Sequence, residues 1–107
     1  MKNLHTEFLN DLLVELGKHP HLGRYWKQNT GIAKVGDRVI RFGLPGAADI
    51  TGLMPNGIRV EIECKTGTGR LSEIQGRFRN MITDLGGLYM EAREIEKVIA
   101  VLEELCH

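Results

Sequence analysis

One stretch of eight residues alternates strictly between two kinds of side chain, and it constrains the fold more than any other part of the sequence. The apolar members are Ile58, Val60, Ile62 and Cys64, and the charged members are Arg59, Glu61, Glu63 and Lys65. Because successive side chains of a strand point to opposite faces, residues 58–65 are predicted to form a β-strand. The preceding Asn56-Gly57 is a strong signal for a hairpin turn, so a partner strand should lie just before it.

Helical periodicity predicts three helices around this strand. Apolar residues from Leu4 to Leu16 predict the first helix, with Gly17 as its C-terminal cap. Ser72 and Gln75 form a capping-box pattern that opens the second helix, which ends at Gly86-Gly87. Residues 95–105 form the last amphipathic helix.

Further strands are predicted between these helices. Residues 32–35 and 39–42 flank Gly36-Asp37 as a hairpin, and residues 19–29 before them read as a connection. A short strand is expected over residues 47–53 and another over 88–90. The expected architecture is an α/β domain over residues 1–107, with a mixed central sheet and a C-terminal helix.

Composition narrows the class of protein. A chain of 107 residues with 42% hydrophobic residues can bury a core as one domain. It has no apolar run long enough for a membrane span, and no signal-peptide pattern begins it. Two cysteines are too few for a disulfide framework, so a cytoplasmic location is expected.

The charge distribution is uneven although the net charge is zero. Residues 18–41 contain six bases and one acid, and residues 65–79 contain four bases and one acid. The segment from Glu91 onward reverses this bias with five acids and two bases. Such asymmetry is typical of a protein with one phosphate-facing side, and chance variation of surface charge explains it equally well.

Asp49 and the triplet Glu63-Cys64-Lys65 carry the clearest chemical pattern. The hairpin turn should place Asp49 beside Glu63 on adjacent strands, with Lys65 on the same face as Glu63. Two carboxylates suit Mg²⁺, which keeps several waters, and the carbonyl of Cys64 is a candidate further ligand. A lysine there can orient an attacking water or stabilise developing negative charge, so the pattern suits phosphodiester hydrolysis. A Glu-x-Lys triplet by itself is more often a solvated stripe.

The sequence resembles the VRR-NUC family of the PD-(D/E)XK nuclease superfamily. The resemblance rests on residues 46–49, the triplet at 63–65 and residues 71–75, with weaker support from residues 26–31 and from Gly86-Gly87. Ala48 replaces the proline that the family has before its aspartate, which should affect loop rigidity more than metal binding. The resemblance implies a restriction-endonuclease-like core with αβββαβ order.

The resemblance also implies roles for individual residues. Asp49 and Glu63 would bind Mg²⁺ or Mn²⁺, and Lys65 would act on the water. Gln75 matches a glutamine of the family, although its place in a capping box is an equally good explanation. Glu7 matches an acid that many relatives carry in the first helix, and a glutamate is favoured in a first helical turn in any case.

These observations together favour a metal-dependent DNA endonuclease in the cytoplasm of a phage-infected or bacterial cell. Resemblance to stand-alone members implies a homodimer that cuts branched DNA, a Holliday junction or a flap, in DNA repair. The candidates for phosphate contact are Lys27, Lys34, Arg41, Arg70, Arg77 and Arg79. The alternatives are a non-catalytic nucleic-acid-binding subunit of a repair or replication complex and a sequence-specific restriction endonuclease.

Several other residues are assigned structural roles. Glu61 is expected to pair with a neighbouring base, and Tyr25 and Trp26 are expected to pack against the core rather than stack on a base. The histidines show no ligand spacing and are expected at the surface; they are His5, His19, His21 and His107.

Overall fold

The computed structural model describes residues 3–106 as three α-helices and six β-strands. In chain order they are α1 (Leu4–Gly17), a short 3₁₀ turn (Pro20–Leu22), β1 (Arg24–Lys27), β2 (Gly31–Val35), β3 (Arg38–Phe42), β4 (Ile50–Leu53), β5 (Arg59–Cys64), α2 (Glu73–Asp84), β6 (Leu88–Ala92) and α3 (Ile95–Leu105). His107 lies outside the described residues, and so does the prediction made for it. The predicted α/β class is confirmed.

Four strands form a mixed sheet in the order β1-β4-β5-β6. Strand β4 is antiparallel to both β1 and β5, whereas β6 is parallel to β5. Parallel neighbours need a crossover connection, and α2 lies in the chain between β5 and β6. The elements of the sheet and its helices follow one another as α1, β1, β4, β5, α2, β6 and α3.

Helices cover both faces of the sheet. The larger core packs α1 and α3 against the apolar sides of β4, β5 and β6. Its buried members are Leu9, Leu12, Leu16, Leu22, Ile50, Met54, Val60, Ile62, Cys64, Ala92, Val98 and Leu102. On the opposite face, a smaller cluster packs Phe78 and Ile82 of α2 against Ala48 and Tyr89. The result is a three-layer arrangement, with the charged side of β5 facing the α2 layer.

The alternation predicted for β5 is observed, but its charged face is not solvated. Val60, Ile62 and Cys64 belong to the larger core, as the pattern predicted. Glu61 and Glu63 are only 0% and 4% exposed. Gln28 lies against Glu61, and Gln75 of α2 lies against Glu63. Buried carboxylates need partners, so the contacts of these two residues decide what this face can do.

The predicted connection over residues 19–29 is wrong in part, because Arg24–Lys27 is the edge strand β1. Strand β1 owes its conformation to antiparallel pairing with β4, in which Trp26 lies opposite Thr51. Tyr25 packs on the larger core and its hydroxyl donates to the Leu22 carbonyl, whereas Trp26 is 47% exposed. Packing is therefore confirmed for Tyr25 and not for Trp26.

The hairpin of residues 32–35 and 39–42 is confirmed, and each of its strands begins one residue earlier than predicted. It forms a two-stranded sheet of its own, separate from the central sheet. Five strands therefore precede α2, whereas three or four were expected. Strand β4 also begins later than predicted, at Ile50, because residues 43–49 form the loop that leads into it.

The ends of the helices follow local side-chain chemistry. Asn3 caps α1 by accepting hydrogen bonds from the backbone N–H groups of His5 and Thr6. Gly17 is the last helical residue rather than the cap, and Lys18 follows it with an ordinary right-handed φ of −81°. The capping box of α2 is present, with Ser72 and Gln75 bonded to each other's backbone N–H. No helix within residues 3–106 is both long enough and apolar enough to cross a membrane.

Candidate active site

Asp49 and Glu63 lie side by side, as the turn at Asn56-Gly57 predicted. Ile50 of β4 pairs with Ile62 of β5, which brings the residue before Ile50 next to the residue after Ile62. The Asp49 N–H donates to Glu63 Oε1 at 3.2 Å, and the Cys64 N–H donates to Asp49 Oδ2 at 2.9 Å. These two bonds fix both carboxylates at the end of the β4–β5 ladder.

The carboxylate of Asp49 and the carbonyl of Cys64 face one common point. That point is marked by His5, whose Nε2 lies 3.1 Å from Asp49 Oδ2 and 3.0 Å from Cys64 O. Because both neighbours are acceptors, Nε2 carries the proton and donates to them. A cation that used both oxygens would therefore displace the half-exposed His5 ring or take its nitrogen as a ligand.

Gln75 connects Glu63 to Lys65. Its Nε2 donates to Glu63 Oε2 at 2.7 Å, and its Oε1 accepts from Lys65 Nζ at 3.0 Å. The Lys65 ammonium lies 3.6 Å from the same Glu63 oxygen. Gln75 Oε1 also accepts from the Ser72 N–H at 2.9 Å, so the capping role and the contact with the site are both present.

The electrostatics of the carboxylate pair favour a bound cation. Burial, followed by the negative charge of Asp49, raises the pKa of Glu63 to about 7, although Lys65 acts in the opposite direction. The raised pKa means that too little positive charge lies near Glu63 to stabilise its ionised form beside Asp49. A divalent metal would supply that charge and hold both groups in the ionised form.

The atoms that Asp49, Glu63 and Cys64 can offer to a metal ion are hard oxygen atoms. Burial raises the pKa of the Cys64 thiol to about 12, and the side chain packs in the larger core on the other face. The atom that Cys64 can offer is therefore its carbonyl oxygen, as the sequence predicted. Two carboxylates and one carbonyl suit Mg²⁺ or Mn²⁺, which prefer oxygen ligands.

Glu61 and Gln28 support the segment that carries Asp49. Glu61 Oε1 accepts from Arg59 Nε at 2.6 Å, which confirms the pairing with a neighbouring base, and from Thr51 Oγ1 at 2.9 Å. Gln28 Nε2 donates to Glu61 Oε2 and to the Ala48 carbonyl, while its backbone N–H donates to the Asp49 carbonyl at 2.8 Å. Glu61 is thus a structural neighbour of the site.

His5 and Gln28 were missed by the sequence interpretation. His5 precedes Leu9 by four residues, so helical spacing placed it on the buried face of α1, and that signal was available. Glu7 lies two residues further on, is exposed, and was matched to the metal site by resemblance alone. Its role stays a prediction, while His5 is the α1 residue with contacts to Asp49 and Cys64.

The six basic residues proposed for phosphate contact are all exposed. Lys34 and Arg41 share one face of the β2–β3 hairpin, because Lys34 lies opposite Val39 and Arg41 lies opposite Ile32. Lys27 ends β1, and Arg70 lies in the loop between β5 and α2. Arg77 and Arg79 lie on α2, where Arg77 forms an ion pair with Glu73.

A scan against protein-family models finds no match to this chain, and a search of curated proteins finds none either. Membership of the VRR-NUC family therefore stays a prediction from the residues that resemble it.

Proposed function

We propose that this chain is a metal-dependent DNA endonuclease with a restriction-endonuclease-like core of the VRR-NUC type. The observation that carries the proposal is the common point faced by Asp49 Oδ2 and Cys64 O, with Glu63 beside it. Lys65 is held at the same site through Gln75. The strands and helices of the central sheet follow one another as α1, β1, β4, β5, α2 and β6, and this order is compatible with the expected αβββαβ core, which supports the proposal.

Each residue has a defined task in this proposal. Asp49, Glu63 and the Cys64 carbonyl would hold a Mg²⁺ or Mn²⁺ ion, which lowers the pKa of a bound water and polarises the phosphate. Lys65 places its ammonium group beside the site, where it orients the attacking water or stabilises charge on the phosphate. Gln75 fixes the ammonium in that position and holds the second oxygen of Glu63.

The substrate we propose is branched DNA, bound by a homodimer. The exposed bases on the hairpin, on α2 and in the loop after β5 supply positive charge around the site. A chain of 107 residues offers little surface for a four-way junction, and two copies would supply two active sites. Selectivity for shape is what the family resemblance implies, and phosphate contacts by lysine and arginine are compatible with it because they carry no sequence information.

Cleavage assays on labelled four-way junctions, flaps and linear duplexes with Mg²⁺ or Mn²⁺ test the proposal. We expect Asp49→Asn and Lys65→Ala each to lower the rate by about 100-fold or more, the range seen when a group that stabilises a transition state is removed. Lys18→Ala is the matched control for Lys65→Ala, because Lys18 is an exposed lysine paired with Glu15 far along α1.

Three outcomes would contradict parts of the proposal. Cleavage that survives Asp49→Asn or Lys65→Ala would refute the site. Equal rates on linear and branched DNA would refute shape selectivity, and a monomer in sedimentation with DNA present would refute the dimer. DNA binding without cleavage under any metal would favour the non-catalytic subunit.

A further inference from the structure

A second group of side chains that can bind metal lies near the C-terminal end of α1, where the chain turns towards β1. His19 and His21 flank Pro20 at the start of the 3₁₀ turn, and Glu103 lies in the last turn of α3. One ligand atom from each of the three side chains lies within 4.8 Å of the other two. None of these residues takes part in the site formed by Asp49 and Glu63.

The distances between these groups already approach those of a coordination sphere. His21 Nε2 lies 2.8 Å from Glu103 Oε1, and the two imidazole rings have centroids 5.8 Å apart at an angle of 68°. Ligands of a tetrahedral zinc ion with bonds of about 2.1 Å lie about 3.4 Å apart. To bind an ion, His21 Nε2 and Glu103 Oε1 would move slightly apart, and their side chains, 58% and 47% exposed, have room to rotate.

The backbone holds the two histidines on a firm turn. Pro20 fixes its own φ, and the N–H groups of Leu22 and Gly23 donate to the carbonyls of His19 and Pro20. Leu22 is completely buried in the larger core, and so is Leu102, the neighbour of Glu103 on α3. Both ligand-bearing segments are therefore anchored before any ion arrives.

The chemistry of this set differs from that of the carboxylate site. Two imidazoles and one carboxylate favour a transition metal such as Zn²⁺ over Mg²⁺. Glu15 Oε1 lies 3.5 Å from His19 Nε2, and an acid beside a ligating histidine orients the ring and raises its basicity.

We propose that His19, His21 and Glu103 form a binding site for a transition-metal ion of the Zn²⁺ class. Such an ion would tie the turn after α1 to the C-terminal turn of α3. Three protein ligands leave one coordination position open to water, so the ion would hold the turn against α3 without the closed four-ligand set of a structural zinc site. It would leave the carboxylate site free for Mg²⁺.

The test is a zinc titration of the full chain without an affinity tag, with millimolar Mg²⁺ present to occupy the carboxylate site. Calorimetry should show that zinc binds to the chain. The changes in amide NMR shifts should cluster at residues 19–22 and 102–105, which would locate the ion at this site. Zinc in about hundredfold excess over its dissociation constant should raise the melting temperature by about 10–12 °C, because it binds only the folded chain.

Substitutions on α3 provide a matched pair. Glu103→Gln should weaken zinc binding by about tenfold or more, whereas Glu104→Gln removes the same charge from the next position and should leave it unchanged. His21→Ala should also weaken it, and this exposed residue can be replaced without loss of the fold. Cys106→Ser should keep the binding, although the Cys106 thiol lies 3.2 Å from the His21 carbonyl.

Several results would overturn the site. These are the absence of binding, NMR shifts confined to Asp49 and Cys64, and equal zinc affinity in Glu103→Gln and Glu104→Gln. Loss of binding in Cys106→Ser with retention in His21→Ala would assign the metal to the thiol instead.

Discussion

At the scale of single residues, Gln75 is the side chain on which most contacts of the candidate site depend. Its carbonyl oxygen accepts from Lys65 and from the Ser72 N–H, and its amide nitrogen donates to Glu63. The orientation of this amide is fixed, because Lys65 and the Ser72 N–H can only donate. One side chain thus links the start of α2 to Glu63 of β5 and to Lys65, which follows that strand.

Two substitutions separate the capping role of Gln75 from its role at the site. Ser72→Ala removes the cap and should cost about 1 kcal/mol of stability, but leaves the bonds of Gln75 to Glu63 and Lys65. Gln75→Ala removes both, and should lower the cleavage rate by about 10-fold to 100-fold. Urea unfolding and single-turnover cleavage measure the two effects. Equal losses of activity in both variants would mean that Gln75 acts only as a cap.

The raised pKa of Glu63 predicts how the metal-free protein responds to pH. The pKa is about 7 in the folded chain against an ordinary 4.5, so folding favours the protonated form. That stabilisation is complete below pH 4.5 and is lost as the pH rises through 7. The loss is about 1–3 kcal/mol, converted at 1.36 kcal/mol per pH unit and discounted for partial hydration.

Urea unfolding of the wild type and of Glu63→Gln over this pH range measures the effect, because the variant has no group to titrate at this position. The stability of the wild type should fall relative to the variant, and a saturating divalent cation should remove the fall. Parallel pH profiles without metal would contradict the raised pKa.

At the scale of elements, the loop before β4 is held against the first turn of α2. Gly46 has a φ of +75°, and a Cβ atom there would lie 2.5 Å from the carbonyl oxygen of Ile74. This contact sets the approach of the chain to Ala48 and Asp49. Glycine at position 46 is therefore needed for its backbone angle and for its lack of a side chain.

Gly46→Ala and Gly36→Ala form a matched pair that separates these two needs. Gly36 also has a positive φ, of +62°, but its Cβ would meet nothing within 4 Å. Gly36→Ala should cost about 1 kcal/mol for the backbone angle alone. Gly46→Ala should cost about 1–3 kcal/mol more, because the loop or α2 must shift. Chemical unfolding compares them, and equal losses would show that the close approach carries no cost.

How much could be predicted from the sequence depended on how local each signal was. The alternation of β5, the turn at Asn56-Gly57 and the capping box of Ser72 and Gln75 are patterns over a few residues, and all are observed. Asp49 met Glu63 because a short hairpin fixes its own register.

The predictions that failed depended on distant parts of the chain. Strand β1 is four residues long and is defined by pairing with β4, which lies 23 residues or more further along. His5 reaches Asp49 and Cys64 across 44 and 59 residues of sequence, through the packing of α1 on the sheet. Helical spacing put His5 on the buried face of α1, but no local pattern indicates which distant residues His5 or strand β1 will contact.

At the scale of the whole molecule, the β2–β3 hairpin is the part of the described chain that stands apart from the central sheet. Its strands are exposed along nearly their whole length, with apolar side chains such as Ile32 and Val39 at 61% and 58%. Lys34 and Arg41 lie on the same face as these two residues, and Arg38 lies on the other. The hairpin thus has one face that combines two bases with apolar surface.

We expect this face to contact DNA, which can be tested by charge removal on each side of the hairpin. The double substitution Lys34→Ala and Arg41→Ala should weaken DNA binding. It should also reduce the slope of log K against the logarithm of salt concentration by about 2, which is about 1 for each lost phosphate contact. Arg38→Ala serves as the control on the opposite face and should change neither quantity. Anisotropy titrations over a range of salt provide the measurement. A larger effect from Arg38→Ala would place the DNA on the other face.

The hairpin leaves and re-enters the sheet at neighbouring points. Lys27 is paired with Ile50, and the Gln28 N–H donates to the Asp49 carbonyl at 2.8 Å. The pairing of β1 with β4 therefore holds the two ends of the segment that contains the hairpin close together. The entropic cost of closing a longer segment between these ends grows slowly, by about 0.6 kcal/mol for each doubling of its length. Residues 31–42 are therefore an exchangeable module. Under the proposed function, a different hairpin grafted there would change which nucleic acid the chain binds and would leave Asp49 and Glu63 in place.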